Sequence, residues 1–129
     1  MFPQPVQDAM QALINATAAN GPHQVNFAMA YGGRAEIIDA TRKVAQLVKD
    51  GKLAVDNIDE AAFQKQLYTE SEPDLIIRTS GEQRISGFML WQGSYAELFF
   101  CDKNWPEFSK DDLVEAIETY QNRDRRFGK

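Results

Sequence analysis

Apolar positions along this chain follow two patterns, one recurring every three to four residues and one short and continuous, and together they divide it into helices and strands. Val6, Met10, Leu13 and Ile14 recur at helical spacing, continued less apolarly by Thr17, and predict a helix from about Pro5 to Ala19 that Asn20-Gly21-Pro22 ends. Val25, Phe27 and Met29 alternate with smaller residues and predict a short strand over Val25 to Ala30. Ile37, Thr41, Val44, Ala45 and Val48 form the inward stripe of a helix from about Ala35 to Lys49, closed by Asp50-Gly51. After a connector, Asp59 is placed to cap a helix over roughly Glu60 to Tyr68. Leu75-Ile76-Ile77 is a continuous apolar run suited to a strand buried on both faces of a parallel sheet. Phe88 to Trp91 form an apolar cluster in a short helix, and Tyr95 to Phe100 a further strand. Trp105 to Phe108 make a turn, and Ser109 with Asp112 caps a last helix striped by Leu113, Ala116, Ile117 and Tyr120. The pattern is that of an α/β fold, a partial, mainly parallel sheet of about three strands flanked by four or five helices, with right-handed crossovers.

Composition narrows the class. With 129 residues, 43% apolar and 26% charged, the chain fits one ordinary globular domain with a modest core. A net charge of −5 argues against a general nucleic-acid binder, which carries a basic face. Cys101 is the one cysteine, which rules out an internal disulfide and suits a reducing compartment; it reads as a packed, inert thiol. The opening MFPQPVQDAM lacks the basic and apolar regions of a signal peptide, and no apolar run reaches the roughly 20 residues of a membrane span. The expected location is cytoplasmic, with contact at the membrane surface left open.

Chemistry concentrates at the end of the Leu75–Ile77 run. Arg78, Thr79, Ser80, Gly81, Glu82, Gln83, Arg84, Ile85 and Ser86 place two guanidinium groups and three hydroxyls in nine residues, around a glycine that lets the backbone turn. Forked arginine donors match phosphate oxygens, and ligands of open α/β sheets sit beyond the carboxyl ends of strands, where this loop falls. Gly32-Gly33-Arg34, between a strand and a helix, has the layout of a phosphate cradle and equally that of a tight turn. Glu97, at the mouth of the second apolar strand, is either a solvated end residue or the partner of a cation or metal. The Phe88–Trp91 cluster reads as core packing rather than lipid contact, and His23 as an exposed turn residue, since one histidine cannot build a metal site with Cys101 alone.

These residues carry a family resemblance. R-T-S-G-E-x-R-x-S-x-F-x-L-W-Q at 78–92, then Y-A-E-L-x-F and W-P-x-F, with NFAMAYGGRAEI at 26–37, resemble the C-terminal half of the cis-prenyltransferases, close to the undecaprenyl diphosphate synthases. The resemblance implies condensation of isopentenyl diphosphate with an allylic diphosphate to give a polyprenyl diphosphate, with Mg²⁺ as cofactor. Residue by residue, it implies that Arg78, Arg84 and Ser86 bind the isopentenyl diphosphate headgroup, that Glu82 orients the arginines, and that Glu97 serves the magnesium site. Arg126-Phe127-Gly128 matches the family's R-x-G element, in which Arg126 and Gly128 reach a diphosphate in a neighbouring subunit of dimeric members.

One part of the family pattern has no counterpart here. The D-G-N-x-R-W turn, which carries the family's catalytic aspartate, does not occur in this sequence, nor does F-S-x-E-N-W. The expectation is therefore a single domain, residues 1–129, holding one side of a divided site, with no catalytic residue of its own and inactive alone. Its partners are expected to be the two diphosphates and either a chain supplying the N-terminal half or a second copy of itself. A non-catalytic accessory homologue and a truncated or proteolysed remnant of a full-length synthase are the alternatives.

Overall fold

A computed structural model of the chain describes residues 2–123. Two four-residue strands, β1 (Leu75–Arg78) and β2 (Glu97–Phe100), pair in parallel with Leu75 opposite Glu97 and Arg78 opposite Phe100. Around them lie α1 (Gln4–Thr17), α2 (Gly33–Lys49), the single-turn α3 (Glu60–Gln64) and α4 (Lys110–Gln121), with 3₁₀ turns at Val55–Asn57 and Trp105–Glu107. The α/β class and the parallel pairing agree with the sequence pattern.

Local signals set most helix ends. Pro5 stands in the first turn of α1, where its missing N–H costs nothing. Asp59 accepts the backbone N–H of Ala62 at 2.7 Å and starts α3, which ends four residues short of the expected Tyr68. Ser109 and Asp112 form a reciprocal capping box on α4. Lys103 adds an ion pair to Asp112 at 2.6 Å, so this carboxylate joins the helix start to the segment after β2.

Tertiary burial departs from expectation in one direction. Among the described residues the buried apolar side chains are Ala40, Val44, Leu67 and Ala116, none of them aromatic. The α1 stripe expected to face a core is open, with Leu13 55% and Ile14 58% exposed. Val25 to Ala30 forms no strand: Val25, Phe27 and Met29 are exposed, because an extended segment becomes a strand only beside a neighbour and no described strand pairs with it. The sheet therefore has two strands, not three, and β1 is half-buried rather than covered on both faces. Leu113 and Ile117 of α4 are likewise exposed, leaving Ala116 and Asp112 as its inward positions. In α2 the buried line is Gly33, Glu36, Ala40 and Val44, while Thr41 and Ala45 face solvent. The chain exposes 10216 Å². A compact monomer of its mass exposes about 6,900 Å², so close to half as much surface again lies open.

The crossover from β1 to β2 holds the last departure. Phe88 to Trp91 belong to a run of turns, not to a helix. Ser86, Gly87 and Met89 have φ of 48°, 79° and 46°, left-handed values that no right-handed helix passes through.

Candidate functional site

β1 delivers Arg78 to the carboxyl end of the strand pair, and the backbone there is fastened before the loop begins. Cys101 N–H donates to Arg78 O at 2.8 Å, Ser80 N–H to Lys103 O at 2.7 Å and Gly81 N–H to Cys101 O at 3.0 Å. Ser80 and Gly81 turn through φ of 75° and 69° beside the segment that follows β2. Arg78 closes the loop from inside: its Nη1 donates to Arg84 O at 2.6 Å and to Ser86 Oγ at 3.0 Å. Arg84 is ion-paired with Glu82, and both side chains stay largely exposed.

These groups share one hollow. Arg78, Arg84 and Ser80 line it together with Ile76, Ile85 and Phe88, around a volume of about 340 Å³. Its lining combines two cations and hydroxyl groups with aliphatic and aromatic side chains. Such a space suits an anion with an apolar body attached. Ser86 contributes through its bond to Arg78, and Glu82 through Arg84. Phe88, read from the sequence as core, is instead 40% exposed and lines the hollow.

Glu97 lies elsewhere. It begins β2 opposite Leu75, three residues and about 10 Å along the strands from the Arg78 level. Arg123 donates to its Oε2 at 2.8 Å. Magnesium is commonly held by one or two carboxylates, with phosphate oxygens and water completing its shell. Among the described residues no three His, Cys, Asp or Glu side chains gather for a metal. They do not form a magnesium centre by themselves. Arg126 and Gly128 lie outside the described residues.

The Gly32-Gly33 turn resolves toward packing. The Gly33 N–H is spent on Gly87 O at 3.1 Å, and a Cβ on Gly33 would stand 2.2 Å from that oxygen, so α2 and the crossover meet backbone to backbone. Behind this contact lies a cluster that motif reading passed over. Glu36, 1% exposed, accepts from Tyr68 N–H at 2.9 Å and Gln92 Nε2 at 3.0 Å through Oε1, and from the Tyr31 hydroxyl at 2.5 Å through Oε2. Burial first, and then the bond to Glu36, push the Tyr31 hydroxyl up to about 12. Gln92 also donates to Thr69 O at 3.1 Å, which fixes its amide orientation because both neighbours are acceptors. Spacing could have revealed Glu36: it lies three residues after Gly33, four before Ala40 and eight before Val44, a line that the predicted stripe of Ile37, Thr41, Val44, Ala45 and Val48 shares only at Val44.

Fold and hollow together define an α/β domain with an arginine-lined hollow at the carboxyl end of a parallel strand pair. The chain belongs to the undecaprenyl diphosphate synthase family of prenyltransferases, whose family model matches residues 1–128. It is 48% identical to the tritrans,polycis-undecaprenyl-diphosphate synthase (geranylgeranyl-diphosphate specific) of Methanocaldococcus jannaschii, over 100% of this chain and 48% of that one. It is 47% identical to isoprenyl transferase 1 of Corynebacterium glutamicum, over 100% of this chain and 60% of that one. The crystal structure of lavandulyl diphosphate synthase from Lavandula x intermedia in complex with dimethylallyl diphosphate superposes with a TM-score of 0.93 at 42% identity, over 99% of this chain and 56% of that one. The chain spans about half the length of the curated relatives it matches. Among the described residues no helix is long and apolar enough to cross a membrane.

Proposed function

We propose that this chain carries the isopentenyl diphosphate side of a cis-prenyltransferase, in which isopentenyl diphosphate is condensed with an allylic diphosphate and pyrophosphate is released. The observation behind this reading is the hollow of about 340 Å³ whose lining combines Arg78 and Arg84 with Ile76, Ile85 and Phe88. A diphosphate ester of a short branched hydrocarbon has the matching two ends. The guanidinium groups hold the charged end with forked, charge-assisted bonds, and the apolar side chains of the lining receive the five-carbon end. To bind, the diphosphate competes with Glu82 for Arg84, while Arg78 keeps Nη1 on the loop and offers its remaining N–H groups.

The rest of the reacting centre comes from a second polypeptide segment. The open α1 stripe, the unpaired residues 25–30 and the large exposed area are surfaces that such a segment covers, either a complementary chain or a second copy. Mg²⁺, which stabilises charge growing on a diphosphate leaving group, would use Glu97 as at most one protein oxygen, released from Arg123 and joined by phosphate oxygens. The enzyme works in the cytoplasm, with the long product handed over at the membrane surface.

The test mixes this chain with a polypeptide bearing the D-G-N-x-R-W element and follows radiolabelled isopentenyl diphosphate into lipid. Incorporation that needs both chains, and falls when Arg84 is replaced, is expected. Failure of the chain to bind isopentenyl diphosphate in isothermal titration, with or without the partner, sinks the reading. Sedimentation of a well-folded monomer at micromolar concentration removes the need for a covering segment.

A further inference from the structure

Glu36 takes no part in the anion hollow, yet it is the largest side chain that the described residues bury completely. Its three partners are all neutral donors, so no cation compensates it, and it stands in the first turn of α2, where the helix end favours a negative charge. A buried carboxylate is costly unless every lone pair it turns inward is met. The donors come from three stretches: Tyr31 before α2, Tyr68 before β1 and Gln92 in the crossover.

The line continues to the arginine loop. The Tyr31 oxygen that donates to Glu36 accepts the Met89 N–H at 3.2 Å. Met89 has φ 46°, a left-handed conformation that a residue with a side chain keeps only where its surroundings hold it. Two residues earlier, Gly87 O takes the Gly33 N–H at 3.1 Å. Between these two anchors stands Phe88, its ring T-shaped against Tyr31 at 5.6 Å, and it lines the hollow. Ser86, immediately before them, receives Arg78.

We propose that Glu36, acting through Tyr31, is a positioning residue for the anion loop: it holds the left-handed turn at Met89 and so sets where Ser86 and Phe88 stand against Arg78. The inference rests on the diphosphate reading only for its effect on binding. Glutamine at this position keeps the shape but not the chemistry. If its carbonyl serves Tyr68 and Gln92, its amide N–H₂ faces the Tyr31 hydroxyl, which must then accept where it donated, in competition with the Met89 N–H.

The experiment uses the full chain as Glu36→Gln and Tyr31→Phe, with amide exchange and titration of inorganic pyrophosphate. In Glu36→Gln, exchange at Met89 should quicken and the pyrophosphate Kd should rise, each by about tenfold, while Ala116 in α4 keeps its protection. Tyr31→Phe should raise the Kd similarly. Parent-like exchange at Met89 in Glu36→Gln overturns the proposal. Should Glu36→Gln lose protection everywhere, Tyr31→Phe decides, and a parent-like pyrophosphate Kd in that variant overturns it. If the parent chain binds neither pyrophosphate nor isopentenyl diphosphate, the diphosphate reading falls while the Met89 exchange still judges the positioning role.

Discussion

Replacing Gly33 by alanine probes the contact that fixes the arginine loop to α2. A Cβ there would lie 2.2 Å from Gly87 O, 3.3 Å from Gly87 C and 3.1 Å from Leu90 Cγ. Ordinary contact begins more than about 1 Å further out, and the obstacle is backbone, so α2 and the crossover must separate. Separation breaks the Gly33 N–H to Gly87 O bond, worth about 1 kcal/mol, and forcing an extra carbon into a packed contact costs about 1–3 kcal/mol. Alanine's better helix propensity returns at most about 1 kcal/mol. The net loss is about 1–3 kcal/mol, a large share of what so sparse a core supplies. Gly32→Ala is the matched control: its Cβ meets only Ala35 Cβ, at 3.9 Å, and the weaker helix cap costs about 0.5–1 kcal/mol. Urea unfolding followed by circular dichroism should place the Gly33→Ala midpoint clearly below that of Gly32→Ala, and pyrophosphate binding should weaken in Gly33→Ala alone. Equal midpoints would refute the reasoning, because they would mean that the close approach of α2 to Gly87 is not required.

Arg84→Ala should raise the apparent constant for isopentenyl diphosphate in the reconstituted enzyme by roughly ten- to a hundredfold, the loss of one charge-assisted contact of about 1.5–3 kcal/mol; Arg84→Lys should recover little of it, since the fork is lost, and equal binding by parent and both variants contradicts the assignment. The Lys103 ammonium, followed by the Ser109 bonds, holds the Asp112 carboxyl down at about 2 from its ordinary 3.8. Its folded value is depressed, so the stabilisation is complete above about pH 4 and fades as pH falls toward 2; Asp112→Asn should flatten that part of the acid unfolding curve, and an unchanged curve would remove the capping ion pair from the account. The Tyr31 hydroxyl, raised to about 12, should titrate late by ultraviolet absorbance and earlier in Glu36→Gln, while an unshifted titration would argue against a charged Glu36 beside it.

What the sequence made legible was local. Asp59, the Ser109–Asp112 box, the continuous Leu75–Ile77 run and the R-T-S-G-E-x-R-x-S loop are each decided within a few residues, and each stands where the pattern placed it. Apart from the helix expected over Phe88–Trp91 and the overlong α3, the readings that failed concern what an apolar face meets. Val25, Phe27 and Met29 alternate as a strand should, and Leu13 and Ile14 stripe a helix as a core face should, yet the partner that turns alternation into a ladder or a stripe into a core is not among the described residues. Periodicity reports which side of an element is apolar and says nothing about what covers it. The site shows the converse limit. Glu36 satisfies the helical period with Gly33, Ala40 and Val44, but a carboxylate is assigned to solvent unless its donors are known, and Tyr31, Tyr68 and Gln92 lie 5, 32 and 56 residues away. A buried charge of this kind becomes visible only when chain folding brings distant donors together. The same holds for Gly33, whose lack of a side chain is explained by a backbone oxygen of Gly87 that no neighbouring residue hints at.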